Sequence, residues 1–201
     1  MRSPDALPLG RWVDHAQPRV SPLPPATRSR STRMALAYIR KRAGTTEDFN
    51  VFTTFARMRS YMPVHAWLVG RLLEGNNLTS REKEQVIVRV AWRMGCAYEY
   101  AHHHHMAQDR GVTLDELHRL TEDAIQGFDA RMTAMLTLAD ELIATRLVSD
   151  QTWTTARDYL DEGQILELCF VVSHYVMVAM TINATGIQPE ESFLRALGPQ
   201  S

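Results

Sequence analysis

The chain has 201 residues, 45% of them apolar and 22% charged, with a formal net charge of −1. That length buries one substantial core, and that charge offers no basic surplus for nucleic acid. No apolar run reads as a membrane span, and Pro or charge interrupts every short apolar stretch near the N-terminus, so neither an anchor nor a signal peptide is expected.

Residues 1–33 carry six of the nine prolines, and Arg2, Arg11, Arg19, Arg28, Arg30 and Arg33 outnumber two aspartates. They read as an extended Pro/Arg-rich arm, either a free tail or a strap docked through Trp12, Val13 and Val20 on the body or a neighbouring subunit. Beyond it, apolar residues recur at three and four, and the alternation of strands is missing. The pattern predicts helices over 34–42, ended by Gly44; 46–59; 61–74, with Pro63 in the first turn and Gly75 after the end; and 80–94, opened by a capping box of Thr79 and Glu82. After a break at Gly95 come 96–110, stopped by Gly111; 114–120, capped by Thr113 with Glu116; 128–146; 150–160; and 164–184, closed by Gly186 and Pro189. The expected fold is therefore all-α, a single helical domain over 34–190 with a tail at 191–201.

The helix 164–184 is apolar on nearly every side, which places it at the centre of the bundle or at a subunit interface. Short of a membrane span and interrupted by Glu167 and His174, its apolar excess points to a homo-oligomer. Cys96 and Cys169 lie far apart in predicted helices, which speaks for reduced thiols and a cytoplasmic location, with a bridge between them left open. Cys169 reads as a small core hydrophobe.

Chemistry concentrates between Glu84 and His103, where ionisable groups stand among long apolar runs that make unpaired charge costly. On a helix at about 100° per residue, Cys96, Glu99 and His103 share one face, while His102, His104 and His105 turn progressively away from it. A break at Gly95 puts Cys96 in the first turn of the next helix, where unpaired N–H groups favour a thiolate and the nearby Glu99 opposes it. Glu99 and His103 are four apart, a spacing at which a carboxylate can orient an imidazole, although a solvated salt bridge has the same signature. Glu84, folded back across the break, supplies a second acid or base. Trp92, Tyr98, Tyr100, His174 and Tyr175 are candidates to line a pocket, with Trp92, Tyr100 and His174 assigned to substrate, or they are core aromatics with satisfied polar tips. The His102–His105 run splays around its helix, so no metal is assigned; mixed sets such as Glu99 with His102 or His103 plus His65 or His174 are the combinations able to converge.

The motif Glu84-x11-Cys96-x2-Glu99-x3-His103 resembles the carboxymuconolactone decarboxylase and alkylhydroperoxidase D superfamily. The segments Ala139-Asp-Glu-Leu, Val148-Ser-Asp-Gln-Thr-Trp and the helix ending Met180-Thr-Ile-Asn-Ala-Thr-Gly-Ile extend that likeness over roughly residues 18–190. The resemblance implies an all-helical, oligomeric fold of the alkylhydroperoxidase D-like type. Its peroxidase branch resembles Glu-x11-Cys-x2-Cys-x3-His, in which the second cysteine attacks peroxide and the first resolves the sulfenic acid. Here Glu99 stands in the attacking position, and a carboxylate cannot follow that oxidation cycle. The decarboxylase branch looks like Glu-x3-His without paired cysteines, as Glu99 and His103 do.

The expectation is a cofactor-free enzyme of carboxymuconolactone decarboxylase type, doing acid/base chemistry on a small organic metabolite: decarboxylation, isomerisation or lactone hydrolysis. His103 serves as base or acid, Glu99 orients it or shares its role, Glu84 assists, and Cys96 is a pocket wall or auxiliary proton donor. Scattered arginines such as Arg89 and Arg93 aside, nothing resembles a dicarboxylate site. A thiol peroxidase using Cys96 and a non-catalytic oligomeric binding protein are the alternatives.

Overall fold

The computed structural model describes residues 12–13, 15–74 and 77–196. Over these the chain is all-helical, with a 3-10 turn at Pro25–Thr27 and ten α-helices. They are α1 (Arg30–Ala43), α2 (Asn50–Phe55), α3 (Tyr61–Glu74), α4 (Ser80–Arg93), α5 (Ala97–Asp109), α6 (Leu114–Arg119), α7 (Ala130–Thr145), α8 (Asp150–Arg157), α9 (Glu162–Thr185) and α10 (Glu191–Ala196). Helix α4 packs against α5, α7 and α9 and forms the hub of the bundle. Val86, Ile87, Val90 and Ala91 of α4 meet Leu136, Leu138 and Ala139 of α7 and Leu168, Val171 and Val172 of α9 in the larger core. A second cluster gathers Leu36, Phe55, Met62, Cys96, Tyr98, Val178 and Ile182 beside it.

Caps explain the boundaries. The expected capping boxes of Thr79 with Glu82 and Thr113 with Glu116 both form, and a third, Asp161 with Gln164, starts α9 at Glu162. Ser29 accepts from the Thr32 N–H and opens α1 four residues before the expected start. The helix expected over 46–59 shrinks to α2, and Asp48, whose carboxylate both Arg28 and Arg40 bond, lies before its start. The tail contributes α10. Gly75, expected to end α3, lies outside the described residues.

Two arginine and lysine side chains are buried inside the bundle, each with its charge compensated. Arg89 forms a two-pronged pair with Asp140 (3.0 and 2.7 Å) and also donates to the Leu120 carbonyl at 2.9 Å. Arg93 shares the same aspartate at 3.2 Å, so both arginines near the motif are committed to structure. Lys83 of α4 pairs with Glu167 of α9 at 2.8 Å, which accounts for the glutamate in an otherwise apolar helix.

Contrary to the sequence reading, α9 is long and apolar enough to cross a membrane by length and composition, although half of that stretch is buried inside the bundle. Nor is it covered all round: Leu166, Phe170, Met177 and Met180 form an exposed stripe along its outer side. The described part of the arm lies on the body. Val13 N–H donates to the Gly95 carbonyl (2.9 Å), Arg19 N–H to Thr185 (2.9 Å) and Leu23 N–H to Thr53 (2.9 Å), while Trp12 sets its ring against Trp92 and Tyr100.

Candidate active site

The turn between α4 and α5 builds the site. Gly95 adopts φ +61°, a left-handed conformation that costs a residue with a Cβ about 1–2 kcal/mol. The reversal folds α5 back along α4 and brings Glu84 beside His103. His103 Nδ1 donates to Glu84 Oε2 at 2.8 Å, with both side chains buried, leaving Nε2 as the other ring nitrogen. The sequence reading gave this role to Glu99. Helical side chains tilt toward the N-terminus, so Glu99 leans back to Cys96, and the carboxylate that holds the imidazole comes from the neighbouring helix.

Glu99 is 3% exposed, and apart from the adjacent Cys96 thiol its carboxyl oxygens have no hydrogen-bond partner. Burial raises its pKa well above the usual carboxylate range; the adjacent Cys96 thiol favours the charged form but is outweighed. Burial thus favours the neutral, protonated form of Glu99 over its carboxylate. Cys96 caps α5 with φ −94°, ψ 93° and is fully covered, at 0% exposure. Burial first and Glu99 second push its thiol up, while the N–H groups of Glu99 and Tyr98 pull the other way and lose. The two opposed influences on this cysteine resolve in favour of a protonated, sequestered thiol.

A cavity of about 990 Å³ runs through the site, lined by Glu84, Glu99, His103, His174 and Tyr175, with Phe49, Val51 and Phe52 on the facing wall. Cys96 is not part of its lining. His65 and His174 stack at 5.2 Å with their planes 17° apart. Burial, reinforced by His174 for the one and His103 for the other, lowers both to about 4, so both are neutral at pH 7. His174 Nε2 is buried without a hydrogen-bond partner. Tyr175 sets its ring edge-on to His103 at 4.8 Å, and its phenol is pushed up by burial and then by Glu84.

Two of the residues assigned to substrate lie elsewhere. Trp92 and Tyr100 point into the core and enclose Trp12 of the arm at 5.6 and 5.1 Å, so an aromatic supplied from 80 residues upstream in sequence fills the space where a pocket was expected. His174 does line the cavity. A further cluster escaped the sequence reading. His102 Nε2 donates to Glu190 Oε2 at 2.5 Å, with its ring between Tyr98 (4.5 Å) and Phe193 (3.8 Å). Glu190 also accepts from the Tyr98 hydroxyl (2.9 Å) and from the Asn50 N–H. Burial pushes Glu190 up, but the His102 bond and charge together with backbone N–H groups, that of Asn50 among them, outweigh it and keep the carboxyl below its ordinary range. Nothing in the local sequence couples Glu190 to a helix so far upstream. Among the described residues no three His, Cys, Asp or Glu side chains are grouped to hold a metal ion.

This all-helical architecture is shared with alkylhydroperoxidase D-like proteins of known structure. A peroxidase-related protein with an alkylhydroperoxidase D core from Ralstonia eutropha JMP134 superposes with a TM-score of 0.74 at 19% identity, over 92% of this chain and 100% of the other. A peroxidase-related protein from Silicibacter sp. TM1040 gives 0.73 at 18% identity, over 90% and 93%. A cysteine-to-alanine variant of the debrominase Bmp8, in complex with 2,3,4-tribromopyrrole, gives 0.77 at 14% identity, over 92% and 98%. Residues 65–141 match the carboxymuconolactone decarboxylase family, and the fold is of the alkylhydroperoxidase D-like type. No curated protein matches the sequence.

Proposed function

We propose that the chain is a cofactor-free enzyme that moves protons at the carbon of a small enolisable metabolite, in decarboxylation, isomerisation or lactone opening. One observation carries the reading: an imidazole anchored by Glu84 and the buried carboxyl of Glu99, which burial pushes toward its protonated form, line the same cavity. Glu84 fixes the tautomer and orientation of His103, so that Nε2 accepts a proton from carbon. The electron pair left behind moves onto the substrate oxygen, and Glu99 meets the growing charge with its O–H. Return of the proton from Nε2 to a second carbon completes an isomerisation.

Burial of the Cys96 thiol outside the cavity lining speaks against the peroxidase alternative. Assembly with further copies through the exposed stripe of α9 and a cytoplasmic location, consistent with the free thiols of Cys96 and Cys169, complete the proposal.

The test is deuterium incorporation, followed by NMR, into a panel of β-keto acids, lactones and cyclic ketones in heavy water. His103→Ala and Glu84→Gln are expected to slow exchange about 10²–10⁴-fold, the usual worth of a positioned base. Cys96→Ser leaves it near wild type. Reduction of cumene hydroperoxide that disappears in Cys96→Ser would overturn the reading.

A further inference from the structure

We infer that the cavity takes an uncharged, planar, unsaturated ring compound with a carbonyl or hydroxyl oxygen, of the cyclic enone or phenol kind, and excludes carboxylates. The inference names the substrate class for the acid/base reading above, narrowing it to isomerisation or lactone opening of uncharged rings, and rests on that site. Three buried polar atoms stand at this cavity with no partner beyond the Cys96 thiol: both oxygens of Glu99 and Nε2 of His174. Such atoms are costly until something bonds them. A neutral carboxyl offers one O–H donor, and a neutral imidazole one donor or acceptor, which together suit an oxygen on an uncharged ligand rather than a full charge.

The distribution of charge points the same way. Glu84 and His103 satisfy each other. Of the described lining residues, Arg42 and Arg110 are the arginines, and both are exposed to solvent. Arg42 is already paired with Glu74 and lies over the Tyr38 ring at 5.7 Å. Arg89 and Arg93, on the helix that carries Glu84, are tied to Asp140. A carboxylate bound between Glu99 and His174 would therefore be buried without a counter-charge, among Glu84 and Glu99. Flat groups form the walls: the stacked faces of His65 and His174, the Tyr175 ring across His174 at 5.3 Å, and Phe52 tilted against His65 at 6.1 Å. Slots of that kind favour a ring over a branched aliphatic ligand.

The experiment observes fluorine NMR of 4-fluorophenol, 4-fluorobenzoate and 4-fluorobenzylammonium titrated with the whole protein at pH 7. The phenol is expected to bind at least about tenfold more tightly than either ion, the worth of one well-made hydrogen bond against an unpaired charge. Glu99→Gln, which keeps a neutral donor, holds phenol affinity within about threefold, whereas Glu99→Leu, with circular dichroism confirming its fold, loses about tenfold. Equal or tighter binding of either ion, or an unchanged affinity in Glu99→Leu, overturns the inference. Because the readout is binding, it stands or falls separately from deuterium exchange, which Glu99→Gln is expected to slow.

Discussion

Replacing Glu99 by Gln isolates the most unusual electrostatic feature of the chain. Because burial raises the carboxyl in the folded state above its ordinary value of 4.5, the native protein holds one more proton than the unfolded chain at any pH between the two. Stability must then fall as pH rises above 4.5, by about 1.36 kcal/mol per unit for one group, until the folded-state carboxyl itself ionises. The glutamine variant has no such proton, so the difference in stability, variant minus wild type, grows with that slope. Each pH unit over which the folded-state carboxyl keeps its proton adds about 1.4 kcal/mol to that difference. In a chain of this size, about 2–4 °C of melting temperature corresponds to each kcal/mol, which gives a divergence of roughly 3–5 °C per pH unit. Parallel thermal melts by circular dichroism at pH 5, 6 and 7 measure it. Curves for the two proteins that stay parallel across that range would show that Glu99 ionises normally and would refute the assignment of a neutral acid.

Acid sensitivity comes from a different pair. His65 and His174, lowered from 6.5 to about 4, are neutral when folded but charge in the unfolded chain, so stability is lost as pH falls from 6.5 toward 4. Each accounts for about 3 kcal/mol taken alone, and replacing both by Phe is expected to flatten the acid limb of a urea-midpoint profile. Gly95→Ala should lower the melting temperature by the equivalent of about 1–2 kcal/mol and slow deuterium exchange, because the turn that aligns Glu84 with His103 is strained. Ellman's reagent is expected to leave Cys96 untouched in the native protein and to react with it only after denaturation, whereas the half-buried Cys169 reacts sooner.

The helical plan was legible because its punctuation is local: Thr79, Thr113 and Gly186 act on residues three or four away, and those ends lie where they were read. The chemistry was half legible. Glu84, Glu99 and His103 do meet around one cavity, yet the i,i+4 spacing suggested a bond within α5 when the imidazole is held from α4. Spacing along one helix does not reveal which neighbour leans in from another. The same limit hid Glu190, which reaches Tyr98 and His102 only through tertiary folding. Trp92 and Tyr100 were misread because a pocket wall and a packed core share one composition, and the deciding residue, Trp12, lies in the arm.

That seating of Trp12 gives the protein a native optical gauge. Its indole stands edge-on to Trp92 at 5.6 Å while the next residue along, Val13, bonds the Gly95 carbonyl, so near-ultraviolet ellipticity from the coupled indoles reports whether the strap is fastened over the hairpin that aligns the reactive groups. A fusion partner or a clipped leader that loosens the strap would announce itself in that signal before any loss of turnover was measured.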